Sequence, residues 1–293
     1  MGPLDLVNLT PLMEHAVGRS EIEIGLIDGP VAMDHPDLAG QNIREVAGKL
    51  AGACSRAGSL ACMHGTFVAG MLCARRGSAA PAICPGCALL VRPIFAETTS
   101  ANGDMPSAMP EELASAIMET VNAGARVINL SAAVARPSAK GERELEEALN
   151  YAARRNVIVV VAAGNQGTVG GSVITRHPWA IPVAACDLRG RVMAISNLGS
   201  SIGRHGLTAP GDNITSLGTN GKAQTSGGTS AAVPFVVGAI ALLWSEFPSA
   251  SAAQVKLAIT QAETRRRKTI APHLLDAWAA YGAMKSGRLG KYS

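Results

Sequence analysis

The stretch from Gln224 to Phe235, Gln-Thr-Ser-Gly-Gly-Thr-Ser-Ala-Ala-Val-Pro-Phe, is the part of the 293-residue chain around which the rest is organised. Its paired glycines allow a tight turn with close backbone approach, and the apolar run from Phe235 to Trp244 predicts a buried helix. Ser230 then lies at the start of that helix, where unpaired N–H groups favour developing negative charge. Taken alone, Gly-Thr-Ser is also typical of a helix cap formed by Thr229 or Ser230.

Two other motifs supply the histidine and the acid that a catalytic Ser230 would need. A serine hydroxyl is a weak nucleophile unless an imidazole takes its proton and a carboxylate orients that imidazole. The sequence MHGTFVAG over residues 63–70 puts His64 at the head of a second apolar helix, and the β-type run IEIGLIDG over residues 22–29 ends in Asp28 and a glycine. Carboxylates seldom end a buried strand without a partner. Asp28, His64 and Ser230 are therefore the candidate acid, base and nucleophile.

The order of these residues along the chain resembles that of the subtilisin-like serine proteases, in which acid, histidine and serine follow one another as in subtilisin. The Ile-Asp-Gly, His-Gly-Thr-x-Val-Ala-Gly and Gly-Thr-Ser-Ala-x-x-Pro motifs are all similar to that family's, and the similarity spans residues 20–262. The resemblance implies an α/β, subtilisin-like three-layer fold with a mostly parallel central sheet and helices on both faces. It also implies a serine endopeptidase that works through an acyl-enzyme.

A fourth motif follows the hydrophobic run over residues 159–163, which leads into Gly164 and Asn165. Alone, Gly-Asn-Gln-Gly is an ordinary turn. In subtilisin-like proteases the matching Ala-Gly-Asn supplies the side-chain amide of the oxyanion hole, so the resemblance implies this role for Asn165. The backbone N–H of Ser230 would be the second donor.

The family's substrates lie as an extended strand between two enzyme segments, with main-chain bonds giving affinity and side-chain pockets giving choice. This implies a peptide or protein partner for the present chain. The family usually has Ser-Leu-Gly where this chain has Ser-Ala-Ala, a departure that would re-shape the cleft. The matching substrate-binding positions are Ser131, Ala132, Ala133 and Gly103, together with Ala162, Ala163 and Gly164 at the wall of the primary pocket.

The residues after Asp28 are Gly29 and Pro30, where most family members have Ser-Gly or Thr-Gly. This variant, with the Arg-Pro-Ile-Phe-Ala run over residues 92–96, is similar to the cyanobactin-maturation branch, whose members cut or cyclise ribosomally made peptides. The cyclising members carry a long helical insertion between acid and histidine that shields the acyl-enzyme from water. Only a short Ala/Gly/Ser-rich loop stands there in this chain, so hydrolysis is expected. Macrocyclisation and a catalytically silent, peptide-binding subtilase remain alternatives.

Composition excludes several other classes of function. The net charge is +4 and dispersed, which gives no electrostatic footprint for nucleic acid. The first residues lack the charged start and apolar core of a signal peptide, and no stretch is long and apolar enough to predict a membrane span. A cytoplasmic location is expected, with secretion open if a leader has been removed. The sequence leaves the oligomeric state open.

The six cysteines lie at positions 54, 62, 73, 84, 87 and 186. Cys84 and Cys87 have the spacing of a redox pair or half a zinc site, but no second pair completes a metal site. A disulfide between Cys54 and Cys62 would brace the loop before His64, although spacing alone does not fix the pairing. In a cytoplasmic chain reduced thiols are the expected state.

No metal and no cofactor are expected. Many subtilases bind calcium in a loop after the histidine helix, and the corresponding residues 75–81 include two arginines and no carboxylate or amide. Because Ca²⁺ needs several oxygen ligands, this loop predicts no ion.

Short β-rich runs alternate with amphipathic helical ones, as in a parallel sheet covered on both faces. The expected organisation is an N-terminal arm over residues 1–20, a peptidase domain over 21–264 and a C-terminal tail with a short helix over 265–293. Because open α/β sheets bind ligands at the carboxyl ends of their strands, we expect the site at that edge. The predicted strands cover residues 22–27, 89–95, 126–130, 157–162 and 180–184, and the predicted helices cover residues 11–17, 111–123, 142–154, 235–244, 249–264 and 272–281.

Overall fold

The computed structural model describes residues 2–97, 108–131, 139–261 and 269–287. Its centre is an eight-stranded sheet in the order β10-β7-β6-β5-β4-β1-β3-β2, and every registered strand pair of this sheet is parallel. A separate antiparallel pair is formed by β8 and β9. The strands are β1 (Glu23–Asp28), β2 (Ile43–Glu45), β3 (Ala88–Pro93), β4 (Val127–Leu130), β5 (Ile158–Ala162), β6 (Ala180–Cys186), β7 (Leu207–Pro210), β8 (Ile214–Leu217), β9 (Ala223–Ser226) and β10 (His273–Leu274).

Helices cover both faces of the sheet, which confirms the predicted α/β fold class. Alternate residues of a strand point to opposite layers: in β5, Val160 belongs to the core that includes α8, whereas Val159 and Val161 belong to the core that includes α4 and α5. Burial on both sides explains why the central strands are almost continuously hydrophobic. The helices are α1 (Pro3–Leu6), α2 (Thr10–His15), α3 (Leu60–Cys73), α4 (Pro110–Asn122), α5 (Ala139–Arg154), α6 (Val173–Arg176), α7 (Ser200–His205), α8 (Thr229–Glu246), α9 (Ala252–Thr260) and α10 (Ala277–Lys285).

Helix α8 is the central helix of one layer and begins one residue before Ser230. It has the length and apolar composition of a membrane span, but 89% of it is buried inside the fold, so packing against the sheet accounts for its hydrophobicity. Pro234 lies within its first turns. Because proline has no N–H, the carbonyl of Ser230 receives no helical hydrogen bond from residue 234.

The five predicted strands are present as β1, β3, β4, β5 and β6, with ends shifted by one or two residues. The structure adds the short strands β2, β7 and β10 and the β8–β9 pair, which sequence analysis missed. Part of the segment predicted as a C-terminal tail enters the main fold, since β10 pairs with β7. Helix α10 then packs near the N-terminal arm, where the Tyr281 hydroxyl lies 2.8 Å from Nε2 of His15.

Helix α3 approaches the end of β1 so closely that the contact is between main chains. A Cβ atom on Gly29 would lie 2.0 Å from the carbonyl oxygen of Ala61, and one on Gly65 would lie 2.4 Å from the carbonyl oxygen of Gly29. No side chain fits at either position. The glycines that follow Asp28 and His64 are therefore what lets these two residues meet.

We predict that Gly65→Ala destabilises the protein by about 3 kcal/mol, the upper end of the usual cost of overpacking, because the added methyl group meets rigid backbone. The measurement is the free energy of unfolding from urea denaturation. Gly58→Ala is the matched control, since no atom lies within 4 Å of a Cβ atom built there. Equal unfolding free energies for the two variants would contradict the tight contact.

Candidate active site

Asp28 and His64 are paired at the carboxyl end of β1. The Nδ1 atom of His64 lies 2.6 Å from Oδ1 of Asp28, and the same oxygen accepts a 2.7 Å hydrogen bond from the backbone N–H of Gly29. The Asp28 side chain is fully buried, and 17% of the His64 side chain is exposed. Since a carboxylate only accepts, Nδ1 carries the proton, and Nε2 is the free acceptor of the neutral ring.

The electrostatics of this pair favour a charged imidazole. Burial lowers the pKa of His64, but the negative charge and the hydrogen bond of Asp28 raise it, and the balance lies above the ordinary value of 6.5. The Oδ2 atom of Asp28 is buried and finds no hydrogen-bond partner within the described residues. His64 is therefore the one side chain, among the described residues, that hydrogen-bonds this carboxylate.

Ser230 is the second residue of α8 and is partly buried. Its Oγ donates a 3.1 Å hydrogen bond to the carbonyl oxygen of Ser131. Within the described residues no hydrogen bond joins Ser230 to His64. Catalytic hydrogen bonds of this kind are often long or poorly aligned until substrate is bound.

Strand register brings these groups to one edge of the sheet. Ile27 of β1 pairs with Leu130 of β4, so Asp28 and Ser131 are the next residues at the same ends of adjacent strands. Neighbouring strands lie about 4.8 Å apart. The hydroxyl of Ser230, which contacts Ser131, is thereby held at the strand end next to Asp28.

Asn165 follows β5 and is exposed, and its amide has a fixed orientation. Its Oδ1 accepts hydrogen bonds from the backbone N–H of Thr229 at 2.9 Å and from the Thr229 hydroxyl at 3.0 Å. This leaves Nδ2 as the outward donor, beside the turn that leads into α8: a Cβ atom on Gly228 would lie 3.0 Å from it. Gly228 has φ +95°, a conformation that favours glycine.

The other predicted substrate-binding positions fall into two groups. Ser131 is buried, as are Ala162 and Ala163 at the carboxyl end of β5, and the N–H of Gly164 donates to the Thr229 hydroxyl at 3.3 Å. These residues share the edge that carries Asp28 and Ser230. Gly103, Ala132 and Ala133 lie outside the described residues.

Cys54 and Cys62 form a disulfide with a Cα–Cα distance of 5.7 Å, so the expectation of reduced thiols is wrong for this pair. Cys62 lies in the first turn of α3 and Cys54 lies in the loop that precedes this helix. Disulfides are typical of oxidising surroundings, which weakens the sequence argument for a cytoplasmic location. The remaining cysteines, Cys73, Cys84, Cys87 and Cys186, are free and buried.

Sequence analysis missed two residues that support the site. Glu97 holds the disulfide loop, since its carboxylate accepts from the N–H of Ser55 at 2.9 Å and from the N–H of Arg56 at 2.8 Å. Thr229, which the sequence predicts only as a helix cap, also orients Asn165. Its position directly before Ser230 is a signal for such a role, whereas nothing near Glu97 in the sequence indicates its partners.

Comparison with known proteins gives a consistent family assignment. Residues 19–277 match peptidase S8, the Subtilase family. The thermostable alkaline protease of Halalkalibacterium halodurans is 32% identical over 202 residues, which are 69% of this chain and 52% of that protein. Subtilisin Savinase of Lederbergia lenta is 32% identical over 238 residues, which are 81% of each chain. The chain thus spans about half the length of the first relative and most of the second.

Two solved structures are similar over nearly their whole length. A variant of the protease domain of PatA superposes with a TM-score of 0.81 at 29% identity, over 92% of this chain and 97% of that one. The prenylagaramide maturation protease PagA superposes with a TM-score of 0.81 at 27% identity, over 94% of this chain and 98% of that one.

We predict that Asp28→Asn lowers the pKa of His64 to below 6.5, because burial then acts without the opposing carboxylate. An NMR titration of the imidazole resonances measures this pKa. His177, whose pKa burial already lowers, is the internal control, and its pKa should stay the same in the variant.

The raised pKa of His64 also makes the stability of the wild type depend on pH. Its stabilising contribution is fully present below about pH 6.5 and is lost as the pH rises through the folded-state pKa. The variant should lack that pH dependence, and an unchanged His64 pKa would contradict the pairing.

Proposed function

Because the chain belongs to the Subtilase family, we propose that it is a serine endopeptidase that hydrolyses peptide bonds through an acyl-enzyme on Ser230. The observation that carries the proposal is the 2.6 Å contact between His64 and the fully buried Asp28. Burying a carboxylate is costly unless it is paired. Here the pair stands at the sheet edge where Ser230 also lies.

His64 acts first as general base. Asp28 holds the Nδ1 proton, so Nε2 faces the reaction and can take the proton of the Ser230 hydroxyl. The Ser230 hydroxyl must first give up its hydrogen bond to the carbonyl of Ser131 and form one to Nε2 of His64. The Ser230 oxygen then attacks the substrate carbonyl carbon, and the imidazolium, stabilised by Asp28, gives its proton to the leaving amine. Water attacks the acyl-enzyme in the reverse sequence and releases the second product.

Asn165 and the start of α8 stabilise the negative oxygen of the tetrahedral intermediate. The first N–H groups of a helix have no partner within the helix, so the N–H of Ser230 is available as one donor. The Nδ2 of Asn165 is the other, and the two hydrogen bonds from Thr229 hold it in place before substrate arrives. Donors fixed in advance need no reorganisation as charge develops.

The substrate is a peptide bound as an extended strand beside Ser131 and the end of β5, where main-chain groups would pair with it. The similar PagA is a maturation protease by name, and this supports a ribosomally made precursor peptide as the native substrate of the present chain. Residues 29–59, between Asp28 and the start of α3, form no helix. With no helical lid there to exclude water, hydrolysis is favoured over cyclisation.

We predict that a serine-directed fluorophosphonate labels the wild type and fails to label Ser230→Ala. In subtilisin, a member of this family, loss of the serine lowers kcat by about 10⁶-fold, and a loss of the same order is expected here. Mass spectrometry of the products from a diverse peptide library tests the reaction itself: hydrolysis adds one water that cyclisation does not. Equal labelling of both proteins would end the proposal, and products lacking the added water would favour the macrocyclase.

We predict that Asn165→Ala lowers kcat by about 10²–10³-fold and changes KM little, because the amide acts on the oxyanion rather than on the bound substrate. Initial rates on a peptide that the wild type cleaves measure both constants. Gln166→Ala is the matched control, since it removes the neighbouring amide side chain and should leave kcat within about threefold. A kcat for Asn165→Ala equal to that of the control would exclude Asn165 from the oxyanion hole.

A further inference from the structure

Asn129 is a polar residue in the middle of the hydrophobic core. It lies in β4, a four-residue strand whose other members are Val127, Ile128 and Leu130, and it is fully buried. Its Nδ2 donates a 2.8 Å hydrogen bond to the hydroxyl of Ser131. Its Oδ1 is buried and has no hydrogen-bond partner in the part of the chain that the structure describes.

The unpaired Oδ1 of Asn129 lowers the stability of the fold. A buried polar atom left unpaired loses its hydrogen bonds to water and gains nothing in return. A core asparagine that served only to stabilise the strand would be expected to have both ends of its amide paired. An apolar side chain of the same shape would avoid the cost, so stability does not account for Asn129.

The hydrogen bond that the Asn129 amide makes with Ser131 connects it to Ser230. Residues two apart in a strand share a face of the sheet, and Val127 lies in the core formed with α8, so Asn129 and Ser131 are on the α8 side. Asn129 donates to the side chain of Ser131, and the carbonyl oxygen of Ser131 accepts from the Ser230 hydroxyl at 3.1 Å. Asn129 is thus two hydrogen bonds from Ser230.

We propose that Asn129 is a positioning residue: by holding the Ser131 hydroxyl it fixes the carbonyl that keeps the Ser230 oxygen at the strand end next to Asp28, from where its hydroxyl turns to His64. The proposal rests on the proposed function, since it assumes that Ser230 is the nucleophile. Asn129 touches neither substrate nor reacting atoms. It acts through Ser131 and is kept in the core at a cost in stability.

The test is Asn129→Leu, which keeps the branching of the side chain and removes both polar atoms. The urea midpoint should stay close to that of the wild type, because the unpaired oxygen is gone while the Ser131 hydroxyl loses the Nδ2 donor. The second-order rate of labelling by a small fluorophosphonate should fall about tenfold, the value that corresponds to one lost hydrogen bond. This probe reports the reactivity of Ser230 without needing the peptide-binding cleft.

A double-mutant cycle with Ser131→Ala shows whether the effect passes through Ser131. Ser131→Ala removes the hydroxyl that Asn129 binds and leaves the carbonyl in place, so it should also slow labelling about tenfold. The double variant should be no slower than either single variant, because both remove the same hydrogen bond. Ser245→Ala, a buried polar-to-apolar change at the far end of α8, is the matched control and should label at the wild-type rate.

Labelling of Asn129→Leu at the wild-type rate would overturn the proposal, as would slow labelling together with a lower urea midpoint, which indicates a structural role. Independent, multiplying effects of the two substitutions would also overturn it. A wild type that neither reacts with the probe nor cleaves any peptide would instead refute the proposed function. The two failures are therefore distinguishable.

Discussion

The buried carboxylate of Asp28 is the constraint on which the rest of the site depends. An unpaired charge at that depth would be very costly, so the fold must bring a proton donor to it. It does so by packing α3 against the end of β1. The main chains are in direct contact at Gly29 and Gly65, where no side chain fits. The position of His64, the closeness of the two elements and the raised pKa of the imidazole all follow from this one requirement.

The opposite side of the site depends on α8 in a similar way. Sixteen of its eighteen residues are buried, so the helix cannot shift without disturbing the core, and its N-terminus is a fixed point. At this N-terminus the N–H of Thr229 donates a hydrogen bond to Asn165, and the Ser230 hydroxyl donates one to the carbonyl of Ser131. The polar edge of the sheet is thereby supported by hydrophobic packing beneath it, and its groups need little rearrangement when charge develops.

Much of this could be predicted from sequence, for physical reasons that also set the limits. The central strands are hydrophobic on both faces, so a strand such as β5 can be predicted from its run of apolar residues. Strands β2 and β10 are three and two residues long and are partly buried or exposed, so they leave no such pattern. Asp28, His64 and Ser230 stand in motifs that resemble a known family. The pairing of Cys54 with Cys62 and the contact of Ser230 with Ser131 are properties of the folded chain, and no local pattern encodes them.

The glycine after Asp28 shows how a departure from the family pattern changes the physics of the site. A serine or threonine there would bring a hydroxyl next to the carboxylate, but Gly29 has none and has no space for one, since its Cβ would lie 2.0 Å from Ala61. Among the described residues, Oδ2 of Asp28 has no hydrogen-bond partner. The negative charge of Asp28 and its hydrogen bond raise the pKa of the neighbouring His64. The tight packing that brings acid and base together therefore places the imidazole where that charge acts on it.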